Sequence, residues 1–163
     1  MPFVFVADIS DFLWHVAPAF TGALTAAIIS GWFLQNYFVA RANEAAFIDF
    51  LIEQLDQLRA DGFEYWMLDV REGSSAEKKK LKQLGRCLEV KLKGAVKSVT
   101  AALGDFKAKY ECKTDFDGLM MDVSDACTGG NFESDERPSD PSRNMVIINA
   151  INRVKSELLR RKV

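Results

Sequence analysis

The feature that most constrains this chain is a run from Phe12 to Ala40 with no Asp, Glu, Lys or Arg. Within it, Pro18 to Val39 reads PAFTGALTAAIISGWFLQNYFV. As a helix rising ~1.5 Å per residue, this stretch is about 33 Å long, the thickness of a bilayer's hydrocarbon core. Trp14 precedes the Pro18–Val39 stretch, and Trp32 and Tyr37 stand toward its far end, where interfacial aromatics belong. Pro18 suits a first helical turn, which needs no N–H from it. A transmembrane helix is the expectation. Two other readings compete. A cleaved signal peptide would need a basic leader, and residues 1–40 hold Asp8 and Asp11 but no Lys or Arg. A buried core helix would need a larger domain around it than this chain supplies.

Every Lys and Arg, starting with Arg41, follows the apolar run, so the positive-inside rule places the N-terminus outside and the rest in the cytosol. The chain thus divides into 1–40, an interfacial segment plus span, and 41–163, a cytosolic helical domain. That second part, of about 120 residues, is enough for one small core. Ala19, Ala23, Ala27 and Gly31 recur every four residues, a small-residue row on which copies of the helix can pack, although a plain anchor also carries such residues.

No Pro or Gly interrupts the chain between Val39 and Gly62, so the apolar helix is expected to continue past Arg41. Ile48, Leu51, Leu55, Leu58, Gly62 and Trp66 then form a helical stripe. Ser74-Ser75-Ala76-Glu77 has the form of a capping box, opening a helix whose apolar face runs Leu81, Leu84, Leu88, Leu92, Val96, Val99, Leu103, Phe106 and Tyr110. Phe116 to Cys127 reads as a short helix and TGGNFESDERPSDPS as a loop. Asp140-Pro141 starts a last helix through Met145, Ile148, Ile151, Val154 and Leu158. The expected fold is all-α: one N-terminal transmembrane helix continuing into a bundle of about four helices.

The net charge of -2 conceals strong polarity. Residues 41–73 carry -5, 74–113 carry +7, 114–141 carry -7 and 142–163 carry +5. Basic helices pairing with acidic ones would account for this. So would an anion site, since clustered cations and helix N-termini both attract phosphate. Two places qualify: the start of the second helix, with Lys78, Lys79, Lys80, Lys82 and Arg86, and the start of the last, with Arg137, Arg143 and Asn144. Tyr65, Trp66 and Phe132 are the aromatics placed to stack on a base, against the simpler reading that they are core.

Three cysteines without a C-x-x-C pair, and a single histidine, His15, give no metal site and no disulfide framework. No phosphate-loop, dinucleotide, nucleophile-elbow or zinc-protease motif occurs. A non-enzyme without a cofactor is therefore expected.

A single span, a continuous juxtamembrane helix and a small charged helical domain, centred on FLQNYFVARANEAAFIDFLIEQLDQLRADGFEYW, resemble the small membrane effectors of bacterial antiphage defence. The closest in design are the cyclic-tetra-adenylate-responsive membrane proteins of type III CRISPR systems. The resemblance implies an inner-membrane protein whose cytosolic domains assemble, as a tetramer, around a cyclic oligoadenylate and rearrange their spans to breach the bilayer. Its partners would be that ligand, lipid and copies of itself, with no nucleic-acid duplex. Two alternatives stay open: a non-catalytic, membrane-anchored regulatory subunit of an envelope complex, and a membrane toxin released by a partner.

Overall fold

The computed structural model describes residues 4–71 and 73–162, with side chains from residue 30 onward. Four helices follow in order: α1 (Val4–Met67), α2 (Ser75–Lys109), α3 (Phe116–Thr128) and α4 (Pro141–Lys162). No strand occurs among the described residues. The chain forms two compact units, residues 1–43 and 44–163, with α1 contributing to both.

In the first unit residues 30–43, whose side chains are described, all lie at the surface, and Trp32, Phe33, Leu34, Tyr37, Phe38 and Val39 are each more than half exposed. Among the described residues, no helix is long and apolar enough to cross a membrane. The expected span reaches into residues 18–29, whose side chains, including those of Ala19, Ala23 and Ala27, lie outside the described set. Gly31 lies inside it, and a Cβ added there would meet nothing within 4 Å.

The second unit is a helical bundle. Its core takes Ile48, Leu51, Leu55, Leu58, Tyr65 and Trp66 from α1, then Leu88 to Phe106 from α2, Phe116 to Cys127 from α3, and Ile147 to Leu158 from α4. The apolar stripe expected over 48–66 is buried throughout, Gly62 included. α1 runs antiparallel to α4, because Asp56 meets Lys155 near one end while Gly62 meets Ile147 nearer the other. It is also antiparallel to α2, with Phe47 against Phe106 and Asp61 against Lys91.

Gly62 permits the closest of these approaches. A Cβ there would lie 3.0 Å from Ile147 Cδ1. Gly62→Val adds bulk against Ile147 in a buried contact, and is expected to destabilise the bundle by about 1–3 kcal/mol, read as a lower urea midpoint. A midpoint equal to wild type would show that α1 and α4 do not approach at this point.

Two apolar positions depart from the expected stripes. Leu84 is 44% and Met145 61% exposed. In α2 no residue before Gly85 is buried, so the helix's first turns stand beyond the core, with Leu68 alone near Gly85. In α4 the buried face begins at Ile147. Both departures fall in the first turns of a helix, where periodicity continues but neighbours do not.

Candidate functional site

The projecting start of α2 carries the first candidate. A capping box fixes it: Glu77 returns its carboxylate to the Ser74 N–H at 2.7 Å, and Ser74 Oγ accepts from the Glu77 N–H at 3.5 Å. The hydrogen bonds from Ser74 hold the Glu77 carboxyl below its ordinary range. From this start Ser75, Lys78, Lys79, Lys82, Gln83 and Arg86 line one open face, recurring at three and four residues as a single helix side requires. Lys80 is exposed but does not line that face.

Most other basic residues of the bundle are neutralised. Lys91 binds Asp61 at 2.8 Å, Lys107 binds Asp117 at 3.0 Å, Arg153 binds Asp122 at 2.6 Å, Lys155 binds Asp56 at 2.6 Å, and Arg161 binds Glu44 at 3.0 Å. Lys93 pairs with Glu133 and Lys162 with Asp49. These contacts realise the pairing of basic with acidic helices. Lys78, Lys79, Lys80 and Lys82 stand outside this scheme, since among the described residues none of them forms an ion pair, while Arg86 reaches Asp135 only at 3.4 Å with both side chains more than half exposed. A pair that exposed contributes ~0–1 kcal/mol and yields readily to another anion.

The second candidate lies where the 129–140 loop meets the end of α1. The loop is stitched down by the Val70 N–H to the Arg137 carbonyl at 3.1 Å, the Asp140 N–H to the Trp66 carbonyl at 2.8 Å and the Glu133 N–H to Tyr65 Oη at 3.0 Å. Tyr65 in turn donates to Glu89 at 3.1 Å, and burial pushes its hydroxyl up to about 12. Arg137 enters this cluster with its side chain 1% exposed. Its guanidinium sits 3.6 Å from the Tyr65 ring centroid and donates to the Tyr65 carbonyl at 3.0 Å. Arg143 lies on Trp66, 5.3 Å from the ring centroid, and donates to the Asp125 carbonyl at 3.4 Å. Asn144 is half-buried, and its Oδ1 has no hydrogen-bond donor.

One sequence expectation needs correction here. Tyr65 and Trp66 are buried in the core, and the Trp66 indole donates to the Cys127 carbonyl at 2.9 Å, so protein already covers the rings that were to receive a base. Phe132 is half-buried, 4.8 Å from the Tyr65 ring. Arg137 is a core residue, a placement that a polar loop sequence does not announce, and it remains a candidate for holding an anion. Finally, the helix N-termini are already capped, with Ser74 satisfying Glu77, and Asp140 accepting from the Ser142 N–H at 3.1 Å. Each cap takes up one of the N–H groups that a helix start leaves open to an anion.

Among the described residues, no cluster of His, Cys, Asp and Glu has the makings of a metal site. No protein-family model, curated protein or solved structure matches the chain.

Proposed function

We propose that this chain is a membrane-associated antiviral effector that senses a cyclic oligoadenylate, cyclic tetra-adenylate foremost. In this reading the charge-free run spans a bacterial inner membrane with the N-terminus outside, and the unit from Glu44 onward binds the ligand in the cytosol. The observation that carries the proposal is the lysine face at the start of α2: Lys78, Lys79 and Lys82 line one open surface and form no ion pair among the described residues, whereas the other long basic side chains of the bundle mostly do. Copies of such a face repel one another. A ring of phosphodiesters, one negative charge each, would relieve that repulsion and draw several copies together. Ligand that favours one arrangement of the copies then biases the helices they carry, and the bilayer is breached. With Tyr65 and Trp66 enclosed, adenine recognition falls to groups that approach when the oligomer forms. The membrane part is supported by the residue 12–40 composition and by the exposed aromatics between Trp32 and Phe38.

Calorimetry of the full chain in detergent, with cyclic tri-, tetra- and hexa-adenylate, tests ligand sensing, and dye release from liposomes tests the consequence. Charge reversal at Lys78, Lys79 and Lys82 to Glu should weaken binding at least a hundredfold and abolish ligand-triggered release. Release that persists in this triple variant would sink the assignment.

A non-catalytic interaction subunit is the second reading. Exposed Met121 on α3 with exposed Met145 and Val146 on α4 favours it, as apolar side chains open to a protein partner. Absence of heat with every ring size, from folded protein, would select it.

A further inference from the structure

We propose that the half-open cavity between the end of α1, the 129–140 loop and the start of α4 is a binding site for an oxyanion of the phosphate class. The cavity has a volume of about 200 Å³, and Trp66, Gly130, Asn131, Arg137, Asp140 and Arg143 are among its lining residues. At roughly 30 Å³ per water, this is room for one tetrahedral oxyanion and a few waters.

The protein neutralises the cationic charge of this cavity only in part, through Glu89 beside Arg137 and Asp140 near Arg143. Two guanidiniums line one small space, both against the indole of Trp66, Arg137 at 5.6 Å and Arg143 at 5.3 Å from its centroid. Arg137 is almost wholly buried, yet its Nε has no hydrogen-bond acceptor. Its nearest carboxylate, Glu89, stands 3.9 Å away, beyond hydrogen-bonding distance, and is occupied by the Tyr65 hydroxyl. Among the described residues the Arg143 guanidinium donates to a backbone carbonyl, at 3.4 Å, and its one carboxylate neighbour in the lining is Asp140. The one carboxylate in the lining, Asp140, is engaged by its own helix, through the N–H and the hydroxyl of Ser142. A buried cation normally finds a full set of acceptors, because an unmet guanidinium N–H carries a desolvation cost. A phosphate-class anion supplies several acceptor oxygens at once, and arginine's planar fork suits it better than lysine's point charge.

Glycine lets Arg143 into place. A Cβ on Gly130 would fall 2.5 Å from Arg143 Nη2, and the backbone there has φ of +67°, a conformation that side chains resist. The loop thus carries its smallest residue where the guanidinium crosses it.

This site is separate from the lysine face of α2 and stands whether or not that face binds a cyclic oligoadenylate. The test uses the full chain with Trp14 and Trp32 changed to Phe, so that Trp66 alone reports. Inorganic phosphate is titrated at constant ionic strength, set with chloride, and read by Trp66 fluorescence and by melting temperature. Expected is a saturable fluorescence change with a rise in melting temperature. Arg143→Gln should weaken the apparent affinity at least tenfold, and Arg143→Lys, which keeps the charge and the fold, should weaken it severalfold. The triple Lys78, Lys79, Lys82 to Glu variant should leave it within twofold.

Adenosine monophosphate in place of phosphate separates the sources: tighter binding assigns a nucleotide phosphate, and equal binding assigns free phosphate, either of which upholds the site. No saturable response, or one unchanged in both Arg143 variants, overturns the proposal. So does a response lost only with the lysines.

Discussion

Trp66→Ala is expected to cost about 3–5 kcal/mol, enough to lower the urea midpoint by roughly 1–3 M, or to leave the bundle unfolded. The indole is 1% exposed, its N–H is held by the Cys127 carbonyl, and both Arg137 and Arg143 lie against it. Removing the ring opens a large cavity, strands a buried carbonyl and takes away the surface on which two guanidiniums rest. Trp66→Phe separates these contributions. It keeps most of the apolar volume and loses the N–H donor, so it should cost about 1–3 kcal/mol. Circular dichroism at 222 nm during urea unfolding measures both. An alanine variant within 1 kcal/mol of wild type would mean that this residue is not the packing centre of the bundle's loop end.

The second large effect is expected at Arg137. Arg137→Ala removes the donor to the Tyr65 carbonyl and the cation beside Glu89, leaving buried polar groups unmatched, and should cost about 3 kcal/mol. Arg137→Met keeps the stem packed on Tyr65 without the charge and should cost about 1 kcal/mol. The difference between the two isolates packing from charge. If methionine proved as damaging as alanine, the guanidinium rather than its stem would be what holds the loop.

How much of this was legible in the sequence depended on what each residue's signal is made of. The stripe Ile48, Leu51, Leu55, Leu58, Gly62, Trp66 was readable because a buried helix face is written in spacing, and all six are buried. The starts of α2 and α4 were readable because caps are local: Ser74 and Glu77 bond to each other, as Asp140 does to Ser142. The outward-lying Leu84 and Met145 were not, since periodicity says which side of a helix is apolar but not whether another helix reaches that far along it.

The candidate site divides the same way. Lysines at 78, 79 and 82 share a face by spacing alone, but their lack of partners becomes visible only after every other charge has been placed. The cluster of Tyr65, Trp66, Phe132 and Arg137 joins α1 to a loop some 70 residues later, through the Arg137 bond to the Tyr65 carbonyl at a separation of 72. Nothing in the loop's composition marks that one arginine among its acidic residues as the one that turns inward.

The ion pairs that close α4 onto α1 carry a consequence for the order of events during synthesis. Arg161 meets Glu44 across a separation of 117 residues, and Lys155 meets Asp56 across 99. A ribosome adding ~5–20 residues per second therefore leaves this face of α1 without its final partner for roughly five to twenty seconds after it emerges. α2 follows α1 directly and covers part of the stripe sooner, whereas Lys155 and Arg161 of α4 follow their α1 partners by 99 and 117 residues. Until then the apolar side of α1 is open to whatever is nearest, including another nascent chain, so the finished bundle depends on the last helix arriving before a competitor does.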